Sequence, residues 1–102
     1  MRENRSLRCW REGETTIGGW LTTPSGHTAE VLAHCGFDWL CIDRQHGLID
    51  YAAMVEMLRA ISTTETTPLV RVPWNDPATI MQTLDAGAYG IIVPLINTRE
   101  DA

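Results

Sequence analysis

The sequence contains no lysine, and all eight of its basic residues are arginine. A guanidinium does not give up its proton near neutrality, so no side chain here can form a Schiff base with a carbonyl substrate. Any carbonyl chemistry carried by this stretch must use another electrophile. Positive charge is also scarce: thirteen acidic residues give a formal net charge of −5, and the arginines are scattered rather than gathered into a stripe. Nucleic acid is therefore not an expected partner. No apolar run approaches the ~20 residues that cross a bilayer, and MRENRSLRCWREGE lacks the apolar stretch of a secretory signal. No membrane is expected, and the cytoplasm is the default compartment. Cys9, Cys35 and Cys41 are odd in number and show no C-x-x-C spacing, which reads as reduced, structural thiols.

What is present reads as one small domain with the apolar content of a globular chain. Residues 1–14 are polar and charged and form a lead-in segment or short helix; residues 15–102 form the domain. TTIGGWLTT is a short β-rich run ended by Pro24. Ser25 stands as a helix cap before SGHTAEVLAHCGF, in which Ala29, Val31, Leu32 and Cys35 gather on one face and Gly36 stops the helix. FDWLCID is an apolar run of the kind buried on both faces of a sheet. Asp50 caps the next helix, whose stripe is Ala53, Met54, Met57, Leu58 and Ile61. PLVRVPW is a third strand, and Asn75 or Asp76 caps a helix with Pro77 in its first turn and Ile80, Met81, Leu84 and Ala88 on its apolar face. AYGIIVPLI is a fourth strand. NTREDA then offers a cap at Asn97 or Thr98 that announces a further helix.

Strand and helix alternate, with strand ends near Trp20, Asp43, Arg71 and Pro94. Such alternation requires parallel strands and right-handed crossovers. A doubly wound sheet usually carries G-x-G-x-x-G or a P-loop, and neither follows any strand here. An eight-stranded barrel averages ~30 residues per βα unit, so four units account for the chain. The expected fold is α/β, the N-terminal half of a (β/α)8 TIM barrel, truncated after a helix cap. Such a half leaves two sheet edges open and should need its other half or a partner.

In a barrel, side chains just past the strand ends share one rim, where catalysis is assembled. Asp43 and His46 follow the second strand. A carboxylate three residues before an imidazole can hold one ring nitrogen and raise the basicity of the other, the arrangement of a general base. The alternative is that Asp43 caps its own loop while His46 faces solvent. A zinc pair is a third reading, although hydrolytic zinc needs three ligands and no other histidine falls on this rim. Arg71 lies inside the apolar LVRVP, where its guanidinium must be paired: with a substrate carboxylate held bidentately, or with Asp43 or another rim acid in a structural salt bridge. Trp20 forms either an aromatic pocket wall or part of the core. His27 and His34 fall on a helix away from the rim. Trp74, Asn75 and Asp76 read as loop and cap residues, and Pro94 as a loop-shaping one.

The stretches GGWLTTPSGHTAEVLAHCGFDWLCID, DRQHGLIDY and PLVRVPWNDPATIMQTLDAGAYGIIVPLINT, in this order and spacing, resemble the HpcH/HpaI aldolase family from Ile17 to Ala102. These are metal-dependent class II pyruvate aldolases that cleave 4-hydroxy-2-oxo acids to pyruvate and an aldehyde. The resemblance implies that His46, oriented by Asp43, acts through a metal-bound water to deprotonate the 4-hydroxyl. It implies that Arg71 steadies the oxo-acid and its enolate, and that Trp20 lines the substrate pocket. A divalent ion, magnesium, manganese or cobalt, is the implied cofactor, in keeping with the missing lysine. Its glutamate and aspartate ligands come from later strands, so none is assigned before residue 102. Many members carry glutamate where this chain has Gln45, and members commonly form homo-oligomers, hexamers among them. The resemblance thus predicts a carbon–carbon lyase acting on a small oxo-acid, complete only with further sequence. The alternatives are a non-catalytic fragment and a related 2-oxo-acid lyase or decarboxylase.

Overall fold

The computed structural model describes residues 2–102. Its elements run α1 (Arg5–Arg11), β1 (Gly18–Leu21), α2 (Gly26–Ala33), β2 (Trp39–Asp43), α3 (Tyr51–Ile61), β3 (Thr67–Arg71), α4 (Pro77–Asp85) and β4 (Gly90–Ile92). The four helices begin where side-chain oxygens satisfy otherwise orphaned backbone donors. Asn4 accepts from the Leu7 N–H, Ser25 from Thr28, Asp50 from Ala53 and Asp76 from Thr79. Of the two candidate caps before α4, Asp76 takes the role, and its Oδ2 accepts from both the Thr79 N–H at 2.8 Å and the Thr79 hydroxyl at 2.6 Å. After α4 the chain turns through Gly87 at φ +113°, a left-handed conformation that costs glycine little.

The strands form one sheet in the order β1-β2-β3-β4, every pair parallel. Strand alternation gives the sheet two faces. On one, Leu21, Leu40, Ile42, Val70 and Ile91 pack with Ala29 and Ala33 of α2 and Met54, Met57, Leu58 and Ile61 of α3. Leu40, Ile42, Met54, Met57, Ile61 and Val70 are fully buried there, and each such side chain contributes roughly 1.5–3 kcal/mol relative to exposure. The other face carries Gly18, Trp39 and Thr67 in one row, Trp20, Cys41, Leu69 and Gly90 in the next, and Asp43, Arg71 and Ile92 in the last.

All four strands are shorter than their sequence patterns, β4 most of all. In the AYGIIVPLI run, ordered pairing ends at Ile92, whose carbonyl still accepts from Val72 at 3.1 Å; Pro94 has no N–H with which to continue the ladder. β3 tolerates Pro68 because its carbonyl points toward β4, accepting from Tyr89, so its nitrogen faces the same side, ahead of the point where β4 begins.

Helix α1 crosses beneath the amino ends of the strands. Arg2 donates to the carbonyls of Ser62, Thr64 and Thr66, and Asn4 Nδ2 to Tyr89 O at 3.2 Å. The buried Ser6 Oγ sits 3.0 Å from Thr67 Oγ1 and 3.3 Å from Asp38 O. The polar lead-in is thus tied to the lower ends of β2, β3 and β4. At the other terminus, Thr98 Oγ1 accepts from the Asp101 N–H while Asp101 Oδ2 accepts from Thr98 and Asn97, the reciprocal bonds of a capping box.

Candidate functional site

Asp43 and Arg71 are register partners at the carboxyl ends of β2 and β3 and lie on the face turned away from the helices. Arg71 Nε donates to Asp43 Oδ1 at 3.0 Å and Nη2 to Oδ2 at 2.6 Å, a side-on bidentate pair. Trp20, one row lower on β1, reaches up diagonally: its Nε1 donates to Asp43 Oδ2 at 3.2 Å, and the Arg71 guanidinium lies 5.0 Å from its ring centroid. Three adjacent strands thus converge on one carboxylate. Its side chain is 2% exposed, against 24% for that of Arg71, so solvent reaches the cation and not the anion.

The electrostatics follow from these contacts. Burial alone would raise the Asp43 carboxyl, but hydrogen bonds from Arg71, then Trp20, then the backbone N–H groups of Gln45 and His46 outweigh it. They hold the carboxyl well below the usual carboxylate range. Hydrogen bonding to Asp43 in turn raises Arg71 above its ordinary value. Cys41, one row beneath on the same face, is completely buried, and burial pushes its thiol up to about 12. It is an inert packing group rather than a nucleophile.

His46 sits on the loop that follows β2, its side chain exposed. The loop is shaped by Asp43, whose Oδ1 accepts from the Gln45 N–H at 2.9 Å and the His46 N–H at 3.2 Å. The D-x-x-H spacing therefore works through the main chain of His46. The expectation that Asp43 holds a ring nitrogen is corrected on this point: its oxygens are taken by Arg71, Trp20 and two backbone donors. The other reading of that spacing, a loop cap with an exposed imidazole, describes the contacts. For Arg71, the salt bridge to Asp43 is present, and it occupies only one edge of the guanidinium.

Spacing did not reveal what holds this loop in place. Arg44 N–H donates to Arg71 O at 2.9 Å, carrying the β2–β3 ladder one step further, and Leu48 N–H donates to Thr22 O at 3.4 Å. Gly47 lies so close to the Asp43 and Thr22 carbonyls that a Cβ would overlap Asp43 O. A glycine one residue after a candidate histidine was the available signal. Arg44 itself leans toward α3, its Nη1 3.9 Å from Met54 Sδ and its guanidinium over Tyr51.

The remaining candidates stand apart. His27 is exposed on α2 and His34 at its C-cap. Trp74 is exposed, Asn75 Nδ2 donates to Asp101 O, and Asp76 is committed to its cap. Pro94 is half-buried just past β4. Among the described residues, no group of three His, Cys, Asp or Glu side chains is placed to hold a metal ion. Asp43 does not fit that role either, because its lone pairs are used and a guanidinium lies against it.

This geometry can be set beside known proteins. A solved HpcH/HpaI aldolase/citrate lyase family protein from Burkholderia cenocepacia superposes with a TM-score of 0.90 at 39% identity, over 97% of this chain and 40% of that one. A hydroxypyruvate/pyruvate aldolase of Rhizorhabdus wittichii is 46% identical over 99 residues, 97% of this chain and 39% of that protein. A 4-hydroxy-2-oxo-heptane-1,7-dioate aldolase of Klebsiella pneumoniae is 41% identical over 92 residues, covering 90% of this chain and 35% of that protein. The chain spans about two fifths of the length of the relatives it matches. Its four parallel strands, with α2, α3 and α4 between them, are one half of a (β/α)8 barrel. The family model for HpcH/HpaI aldolase/citrate lyase matches residues 16–102, every element from β1 to the Thr98 turn, and the chain belongs to that family.

Proposed function

We propose that this chain supplies the oxo-acid-binding half of a carbon–carbon lyase that cleaves 4-hydroxy-2-oxo acids to pyruvate and an aldehyde. One observation carries the reading: a guanidinium at the strand-end rim is locked through one edge to a buried carboxylate, with an exposed imidazole on the adjoining loop. A 2-oxo acid presents a planar carboxylate, and its cleavage leaves negative charge on the former keto oxygen. A fixed cation stabilises that charge without having to reorganise as it develops.

The roles follow from the contacts. Arg71 binds the oxo-acid through the edge that Asp43 leaves free. Asp43 keeps the guanidinium from rotating and fixes the start of the 43–47 loop. His46, solvent-reached on that loop, moves the proton of the 4-hydroxyl. A divalent ion would supply Lewis-acid polarisation of the keto oxygen. The residues of this chain do not fit as its ligands, so carboxylates elsewhere in the whole protein would have to hold it. Assembly into homo-oligomers and a cytoplasmic site of action belong to the same proposal.

The test uses the whole protein with added magnesium or manganese and follows pyruvate release from a 4-hydroxy-2-oxo acid with a coupled lactate dehydrogenase. Turnover should fall by about 10²–10⁴-fold in His46→Ala, while the exposed position of the side chain leaves folding unchanged. Equal turnover in that variant removes His46 from the mechanism. No pyruvate from any such acid removes the reaction.

A further inference from the structure

Arg71 has five N–H donors in a rigid plane. Asp43 takes two of them, from Nε and Nη2, and among the described residues nothing accepts from Nη1. The end-on fork formed by Nη1 and the second Nη2 hydrogen is what remains for a ligand. Its direction depends on how firmly the pair is held, because a guanidinium on a flexible stem can swing while keeping one hydrogen bond. Two contacts oppose that swing, and both come from one residue. The Trp20 indole N–H fixes Asp43 Oδ2, the same oxygen that accepts from Arg71 Nη2, and the Trp20 ring lies beneath the guanidinium at 5.0 Å.

Trp20 lies on the sheet face opposite the helix-packed core and directs its N–H at a charged group. Its N–H goes to a carboxylate already bonded four times, so that carboxylate does not need it for satisfaction. What the bond adds is orientation.

We propose that Trp20 is the positioning residue of this site, tethering Asp43 through its indole N–H and seating Arg71 on its ring so that the Nη1–Nη2 edge is presented to the carboxylate of a 2-oxo acid. The proposal rests on the functional reading above for the identity of the ligand, and on the geometry alone for the tether. Trp20 acts through Arg71 and does not touch the reacting atoms.

Two variants separate its two contacts. Trp20→Phe keeps an aromatic face and loses the donor; Trp20→Leu loses both. Each is made in the whole protein, and its thermal midpoint is compared with wild type to exclude global damage. The Arg71 Nε–H resonance in 15N-labelled protein, assigned by its loss in Arg71→Lys, reads the tether. It should be sharp and slow to exchange with water in wild type, broadened in Trp20→Phe and more so in Trp20→Leu. KM for the 4-hydroxy-2-oxo acid should rise by about tenfold in Trp20→Leu, the scale of one hydrogen bond to a charged group, and less in Trp20→Phe, with kcat falling as well because the same guanidinium meets the charge that develops.

An unaltered resonance in both variants overturns the proposal, and if KM nonetheless rises, Trp20 is a pocket wall that meets the substrate itself. An altered resonance with unaltered KM also overturns it, because the orientation would then serve nothing. If wild-type protein turns over no 2-oxo acid, the functional reading fails separately and the resonance alone decides the tether.

Discussion

Replacing Asp43 with asparagine removes one charge from the most heavily bonded side chain of the site and changes its shape hardly at all. One carbonyl oxygen remains to accept, but the second acceptor becomes a donor facing the donors of Arg71 and Trp20. Breaking a buried ion pair by deleting one partner costs about 3–5 kcal/mol, because the other charge is stranded. Arg71 keeps some hydration, with 24% of its side chain exposed, which places the expected loss nearer 2–3 kcal/mol. In the whole protein, a barrel of about 250 residues, that lowers the thermal midpoint by roughly 4–12 °C. The acid response should change as well. The folded-state carboxyl is depressed, so its stabilisation is complete above the unfolded value of about 3.9 and is lost as pH falls from there toward the lower folded value. Wild type should therefore lose stability more steeply below about pH 4 than Asp43→Asn does. Circular dichroism melts of both proteins from pH 2.5 to 7 test the reasoning. A midpoint within 2 °C of wild type at neutral pH, or parallel acid profiles, would refute the claim that Asp43 holds the site together.

Other perturbations have equally definite outcomes. Gly47→Ala sets a Cβ against the Asp43 and Thr22 carbonyls, so it should cost about 1–3 kcal/mol as an overpacked site and shift the His46 amide resonance. Ser6→Ala removes the buried hydroxyl that meets Thr67 and Asp38 and should cost about 1–2 kcal/mol in chemical denaturation; no loss would mean that α1 is only loosely laid against the sheet. Native protein at pH 8 should be alkylated by iodoacetamide at exposed Cys35 and not at Cys41, which is buried with its thiol near 12. Mass mapping after brief labelling reads that contrast directly.

The strand–helix order was legible because each cue was local. Ser25 and Asp50 start helices by capping, Met54, Met57, Leu58 and Ile61 repeat at helical spacing, and WLCID turns Leu40 and Ile42 to the helices and Trp39 and Cys41 to the other face of the sheet. Strand limits were less legible, since ladder length depends on what the neighbour offers. Ile92 ends β4 although its apolar run continues to Ile96. The meeting of Asp43 with Arg71 was open in the sequence only as one of two readings, because residues 28 apart pair solely through the register of β2 and β3. Trp20 was seen as a wall or as core. Its tie to Asp43 could not be read from spacing, since it crosses from β1 diagonally past the Cys41 row. The D-x-x-H motif misled in one respect: proximity in sequence suggested a ring contact, whereas the short loop satisfies its own amides first.

The central claim, that this rim binds a 2-oxo acid and stabilises its enolate, is tested most directly without any aldehyde. Pyruvate in heavy water is incubated with the whole protein and manganese or magnesium, and after removal of the metal its methyl protons are counted by NMR. The account predicts steady replacement of those protons by deuterium, abolished in Arg71→Ala. Methyl protons that stay at full intensity with folded, metal-supplied protein, or that exchange as fast without the arginine, would contradict it.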